Sequence, residues 1–202
     1  MRVLVTGGSG KAGVWTVREL AAHGHDVINL DSRPPAVDLP GSFLMLNLTD
    51  AGEVYDAFVQ TKPDAVVHLA ANPSPSGFPR QQTFANNVLS TYNIMQAAGD
   101  SGHVSRLVYA SSEMATGWLT TDDLPPRFPF NEEDRVATPN AYALSKYLGE
   151  VMADSMVVRY PHLAICSLRI NNVIPPDSYA ILQQRRDNFP EGGVNFWSYI
   201  DA

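Results

Sequence analysis

A doubly wound parallel α/β sheet is the fold that this sequence predicts, and three observations predict it. Short apolar runs rich in β-branched residues alternate with longer helical patterns along the 202-residue chain. The first of these runs passes directly into a glycine-rich turn and then a helix, as a parallel βαβ unit begins. Polar residues recur just after the apolar runs, where the carboxyl ends of parallel strands would gather them around one crevice.

Val3-Leu4-Val5 is the first strand, apolar in the continuous manner of a strand buried on both faces. Gly7, Gly8 and Gly10 make the turn, and from Gly13 the pattern is helical, with Val14, Val17, Leu20 and Ala21 on one side. Unpaired N–H groups and the positive dipole end at such a helix start attract an anion. Glycines let a pyrophosphate approach the backbone. The spacing Gly7-x-x-Gly10-x-x-Gly13 is one residue wider in its first gap than the usual dinucleotide fingerprint. An ATP-type P-loop fails, because Lys11 is followed by Ala12. The expected fold is therefore Rossmann-like, with a dinucleotide on the first helix.

His23-Gly24-His25 reads as a helix-ending turn with Gly24 left-handed, and no third ligand nearby makes it a metal site. Asp26–Asp31 is the second strand. Asp31 lies about 20 residues beyond the turn, where an acid bonds the adenosine ribose hydroxyls. A carboxylate there repels a 2′-phosphate, so NAD is favoured over NADP, with Arg33 as the one nearby guanidinium that could accept that phosphate. Ser42–Leu46 is the third strand, and Thr49 or Asp50 would cap a helix through Val54, Ala57 and Phe58. Asp64–Leu69 is the fourth, leading to Ala70-Ala71-Asn72-Pro73; His68, at its edge, is given no catalytic role.

A loop from Pro73 to Pro79 precedes a helix over Gln81–Ala98, with Phe84, Val88, Thr91, Ile94, Met95 and Ala98 at helical spacing. Arg106–Ala110 is the fifth strand, with Ser111 and Ser112 just past its end. The irregular Thr116–Pro139 stretch, with prolines at 125, 126, 129 and 139 and acids at 132 to 134, reads as a lid. A helix over Asn140–Val158 and a sixth strand over His162–Leu168 follow; Cys166 in that strand reads as a small buried filler.

The net charge of -7 gives no basic surface for phosphate backbones, so nucleic acid is not an expected partner. No apolar run approaches the ~20 residues of a membrane span. Met1 leads almost directly into the first strand, so no signal peptide is expected. A single cysteine excludes an internal disulfide and suits a reducing cytoplasm.

Tyr142 and Lys146, four apart on the last long helix, share one face, while Leu144, Leu148, Val151 and Ser155 mark another. With Gly7-x-x-Gly10-x-x-Gly13 and Ser112, they make the sequence resemble the extended short-chain dehydrogenases, in particular the NAD-dependent epimerase/dehydratase family. The resemblance covers essentially the whole chain and includes Asp31, His68–Ala71, Asn87-Val88, Glu132, Pro139, Glu150 and Leu168–Asn172.

The resemblance implies Ser112, Tyr142 and Lys146 as catalytic residues. It places NAD against Gly7, Gly10, Lys11, Ala12 and Gly13, and against Asp31, Ser32 and Arg33. Further along, Asn47, Leu48, Leu69, Ala70, Ala71 and Asn87 join Tyr142 and Lys146 in holding the cofactor. Ser112, Glu113 and Asn172 would contact substrate, and no metal is implied. A tyrosine of pKa about 10 is a poor base at neutral pH, and bringing it to about 7 needs roughly 4 kcal/mol of phenolate stabilisation. In the family mechanism the Lys146 ammonium and a nicotinamide cation supply it, and Tyr142 takes a substrate hydroxyl proton while hydride leaves the same carbon.

The departures from the family pattern bear on substrate. Ala115-Thr116-Gly117 stands where many sugar-nucleotide enzymes read Val-Tyr-Gly, and Glu113-Met114 replaces the Asp-Glu of dehydratases, which argues against dehydration. Asn47 replaces a frequent adenine-contacting Asp, and Pro175-Pro176 the usual Gly-Pro. Phe196–Asp201 resembles a segment after which relatives continue, so residues 1–170 are expected to form the NAD-binding domain and 171–202 the start of a truncated substrate-binding part. The expected activity is nucleotide-sugar epimerisation through a transient keto intermediate. The alternatives are a net dehydrogenase of a free sugar or sugar acid, and a non-catalytic NAD(P)-sensing protein. Surplus apolar residues on the helices over 81–98 and 140–158 predict a homodimer through a four-helix bundle, as in relatives.

Overall fold

A computed structural model describes residues 1–74, 76–120, 127, 129, 131–134, 137–187 and 200–201. Six strands form one sheet: β1 (Arg2–Thr6), β2 (Asp26–Asp31), β3 (Ser42–Met45), β4 (Ala65–His68), β5 (Arg106–Ser112) and β6 (Ala164–Ile170). All neighbours are parallel, in the order β3-β2-β1-β4-β5-β6. The strand order reverses beside β1, and ligands of open α/β sheets bind in the crevice at that point. The doubly wound expectation holds.

The helices are α1 (Lys11–Ala22), α2 (Ala51–Thr61), α3 (Arg80–Ser101), α4 (Ala141–Arg159) and α5 (Ala180–Asp187). Strand alternation divides the core in two. Leu4, Ile28, Leu30, Val66 and Leu107 turn to one face and pack with Val54, Phe58, Ile94, Met95 and Met156 of α2, α3 and α4. Val3, Val5 and Val27 turn to the other and pack with Val17 of α1. Asp50 is the α2 cap, accepting from the Glu53 amide, while Thr49 bonds the Asn47 side chain instead. Gly24 ends the α1 turn at φ +78°, as its sequence context predicts.

Three details differ from the sequence reading. Ser111 and Ser112 belong to β5 itself, paired with Arg169 and Ile170 of β6. The stretch expected to be irregular opens with two 3-10 turns, Glu113–Thr116 and Trp118–Thr120; residues 121–126, 128, 130 and 135–136 of it lie outside the described residues. Cys166 is exposed rather than buried. The reason is its place in β6, an edge strand: Ile165 turns to the α4 side, so Ala164, Cys166 and Leu168 face outward. In the C-terminal part, β7 (Val173–Ile174) pairs with β8 (Ile200–Asp201), and residues 188–199 are outside the described ones. Among the described residues no helix is long and apolar enough to cross a membrane.

Candidate active site

The turn after β1 is shaped by two glycines that nothing else could replace. Gly7 has φ +70°, and a Cβ there would lie 2.7 Å from the Ala70 amide nitrogen. A Cβ on Gly13 would lie 2.1 Å from the Gly7 carbonyl oxygen. Gly10 is the N-cap of α1, which has no side-chain cap and no acid in its first turn. The orphan amides at Lys11, Ala12 and Gly13 are thus left for an anionic ligand.

Asp31 sits beside the turn, its carboxylate accepting from the Ser9 amide at 3.1 Å and the Arg33 amide at 3.3 Å. Ser32 and Arg33 are exposed at the same edge. Leu69 and Ala70 lie across β1, their amides donating to Thr6 O and Thr6 Oγ1. Asn87 of α3 clamps the strand end that follows Ala71: its Oδ1 accepts from the Asn72 amide at 2.7 Å, and its Nδ2 donates to Asn72 O and Ser145 Oγ. A carboxylate, a glycine cradle and an uncapped helix start fit the ribose and diphosphate of a dinucleotide.

Some of the residues expected to hold the cofactor are engaged elsewhere. Lys11 Nζ donates to Val173 O at 2.7 Å, tying α1 to β7. The Asn47 side chain accepts from Thr49 in a local turn. Leu48 is a core residue, its carbonyl taken by Asn93 Nδ2 at 3.0 Å. Asn172 lies between β6 and β7 and is partly buried.

Ser112, Tyr142 and Lys146 come together at the end of β5, all three buried. Asn140 caps α4 by accepting from the amides of Tyr142 and Ala143, so the helix starts at the site. One turn on, Tyr142 and Lys146 share its buried face with Ser145 and Gly149. Ser112 Oγ accepts from the Met114 amide at 3.2 Å, and its hydroxyl is near enough to Tyr142 to favour the phenolate. Lys146 Nζ donates to Ala110 O at 2.6 Å and lies 5.9 Å from the Tyr142 ring centre.

Burial is the dominant influence on both titrating groups. It brings the Lys146 ammonium down to about 8, near neutrality but still charged at pH 7. It pushes the Tyr142 phenol above its ordinary value, with the nearby Glu113 charge adding and the Ser112 hydroxyl opposing. The sequence expectation was a phenol acidified by Lys146. Among these side chains desolvation is the stronger effect, and the Lys146 amine is held by a carbonyl rather than by the phenol.

Two clusters escaped the sequence reading. Arg169 forks onto Glu150 at 2.8 and 3.0 Å, Ser111 donates to the same carboxylate at 2.5 Å, and Arg169 also reaches Glu132 O at 3.0 Å. This joins β5, α4, β6 and the start of the Glu132 turn behind the trio. Tyr109 and Thr91 form the second cluster, with His68. A threonine on the otherwise apolar stripe of α3 was the available signal. Among the described residues no group of His, Cys, Asp or Glu could hold a metal.

An open parallel sheet with a glycine cradle at its switch point and a Ser-Tyr-Lys trio beside it defines a short-chain dehydrogenase-type site. The chain belongs to the NAD dependent epimerase/dehydratase family, whose sequence model matches residues 3–192. It is 32% identical to a UDP-glucose 4-epimerase of Lactobacillus helveticus over 74% of this chain and 45% of that protein. It is 30% identical to an NAD-dependent glucose-6-phosphate dehydrogenase of Haloferax volcanii over 99% of this chain and 80% of the relative. The Thermus thermophilus UDP-glucose 4-epimerase, solved in complex with NAD, superposes with a TM-score of 0.76 at 30% identity, over 92% of this chain and 62% of that one. The chain thus spans about half to four-fifths of the length of these relatives.

Proposed function

We propose that the protein binds NAD across the β1 crevice and exchanges hydride and proton with a sugar-type hydroxyl. The observation that carries this reading is the convergence of Ser112, Tyr142 and Lys146 beside the glycine cradle. When bound, the nicotinamide supplies the hydride acceptor. Ser112 holds the substrate oxygen in line, and Tyr142 Oη receives its proton as the carbon loses hydride, so a carbonyl forms. The Lys146 ammonium, together with the positive nicotinamide, would offset the desolvation that raises the phenol, and Lys146 would turn from Ala110 O to grip the nicotinamide ribose.

The first reading of the overall activity is nucleotide-sugar epimerisation, in which the keto sugar turns over and hydride returns to its other face. Several similar proteins are UDP-glucose 4-epimerases. Net oxidation of a free sugar or sugar phosphate is the second reading. Ala115-Thr116-Gly117 and the near-complete coverage by the Haloferax dehydrogenase favour it. Incubation with nucleotide sugars and with free sugars separates them: an epimerase accumulates no NADH, whereas a dehydrogenase builds it up with its sugar. Tyr142→Phe should lower either rate by about 10³-fold while NAD binding stays within a few-fold. Unchanged turnover in that variant would overturn the assignment.

In this reading residues 1–170 carry the cofactor and 171–202 begin the substrate-binding part, in a reducing, cytoplasmic setting. Exposed Phe84, Leu89 and Tyr92 on α3, with Val151 and Val158 on α4, support a homodimer through a four-helix bundle. Sedimentation showing monomer alone at micromolar concentration would remove that part.

A further inference from the structure

One residue of β2 is unlike the core around it. Val27, Asn29 and Asp31 alternate onto the α1 side of the sheet, where Val27 packs with Val3, Val5 and Val17. Asn29 is opposite Val5 in the β1 register and is 2% exposed. Its sequence neighbours, Val27, Ile28 and Leu30, are all apolar.

The two ends of its amide are treated differently. Nδ2 donates to Ser9 Oγ at 3.1 Å, in the turn between β1 and α1. Oδ1 is buried and finds no donor among the described residues. An orphaned buried acceptor costs at least as much as one neutral hydrogen bond contributes. Valine would therefore suit the fold as well at this place, and the asparagine answers another need.

Two features of the turn show what that need is. Ser9 is held twice by the same face of β2: its amide donates to Asp31 Oδ2 at 3.1 Å, and its hydroxyl accepts from Asn29. Gly8 is the other feature. Unlike Gly7 it has no left-handed φ, yet a Cβ on it would lie 2.3 Å from Asn29 Oδ1 and 2.7 Å from Asn29 Cγ. Gly8 is bare because the asparagine amide occupies its side-chain space. Asn29 thus packs against one residue of the turn and bonds the next.

We propose that Asn29 is a positioning residue for the dinucleotide: through the Ser9 hydroxyl it seats the glycine turn on β2, and so fixes the spacing between the orphan amides at the start of α1 and the Asp31 carboxylate. A diphosphate and an adenosine ribose belong to one ligand, so the groups that meet them must keep one separation. A turn free to shift would have to be ordered at the moment of binding, at a cost in affinity. The inference rests on the reading that this crevice takes NAD.

The test sets affinity against stability. Asn29→Val removes the amide and its orphaned oxygen together, and Ser9→Ala removes the hydroxyl it holds. Each should weaken NAD about 5-fold in titration calorimetry. The double variant should bind no more weakly than either single one, because the second change removes nothing that the first has left. The thermal midpoint of Asn29→Val should equal or exceed the native one. Native affinity in Asn29→Val overturns the proposal, as do losses that add in the double variant, since Asn29 would then not act through Ser9. A midpoint that falls makes Asn29 a residue of the fold alone and overturns it as well. Each of these outcomes leaves the functional reading standing, whereas native protein that binds no NAD removes that reading and this proposal with it.

Discussion

Around β1 the site is made of backbone; around β5 and α4 it is made of side chains. The first region offers turn amides, an uncapped helix start and two glycines whose Cβ positions are occupied by main-chain atoms. The second buries Lys146, Tyr109, Tyr142, Ser112 and His68, with Lys146 and Tyr109 donating to backbone carbonyls. The difference teaches where each half is vulnerable. A backbone cradle fails by steric exclusion, because main chain cannot step aside. A buried polar cluster fails by losing a partner, because the group left behind keeps its desolvation cost.

The sharpest way to break the comparison is at Gly13. Gly13→Ala forces a Cβ against the Gly7 carbonyl, and should cost about 3 kcal/mol in denaturant unfolding together with NAD binding. A variant of near-native stability would mean that the cradle is not backbone-limited.

On the side-chain half, Glu150→Ala leaves Arg169 and Ser111 without their carboxylate. The pair is largely buried, so a loss of about 3 kcal/mol is expected. NAD affinity should change less than about 3-fold, since the cradle is separate. A collapse of NAD binding in a folded Glu150→Ala protein would show that the halves are coupled.

His68 sharpens the contrast through pH. Its folded ring is held at about 3 against 6.5 in the unfolded chain. Below pH 6.5 the unfolded chain takes up a proton that the folded one refuses, so stability falls as pH drops towards 3. The slope approaches about 1.4 kcal/mol per pH unit between pH 6 and 4. His68→Gln should remove that contribution, and the native ring shift should stay flat over the same range. A ring that titrates near 6 in the folded protein would contradict it.

The smallest effect belongs to Asp31, the carboxylate of the β1 half. Asp31→Asn removes the charge that repels a 2′-phosphate, and the ratio of NAD to NADP affinities should narrow about 10-fold. An unchanged ratio would assign that choice to Arg33 instead.

Much of this arrangement was legible in the chain. The glycine spacing, Asp31 and the Tyr142/Lys146 pair are local patterns, each confined to one turn, one strand end or one helix face. What escaped was non-local. Cys166 looked like a filler because alternation shows that a strand has a buried face without showing that β6 lies at the sheet edge. Arg169, Glu150 and Ser111 sit on three different elements, and no spacing rule joins them.

By itself, then, the sequence determined the order of strands and helices, the glycine turn and the shared helix face of Tyr142 and Lys146, because backbone periodicity and helix geometry act over a few residues. Only the tertiary structure decided the environment of those groups: that burial outweighs the lysine in setting the Tyr142 phenol, that Lys146 leans on Ala110, and that a threonine of α3 meets His68. Desolvation and hydrogen-bond partners are properties of packed neighbours, and those neighbours come from distant parts of the chain.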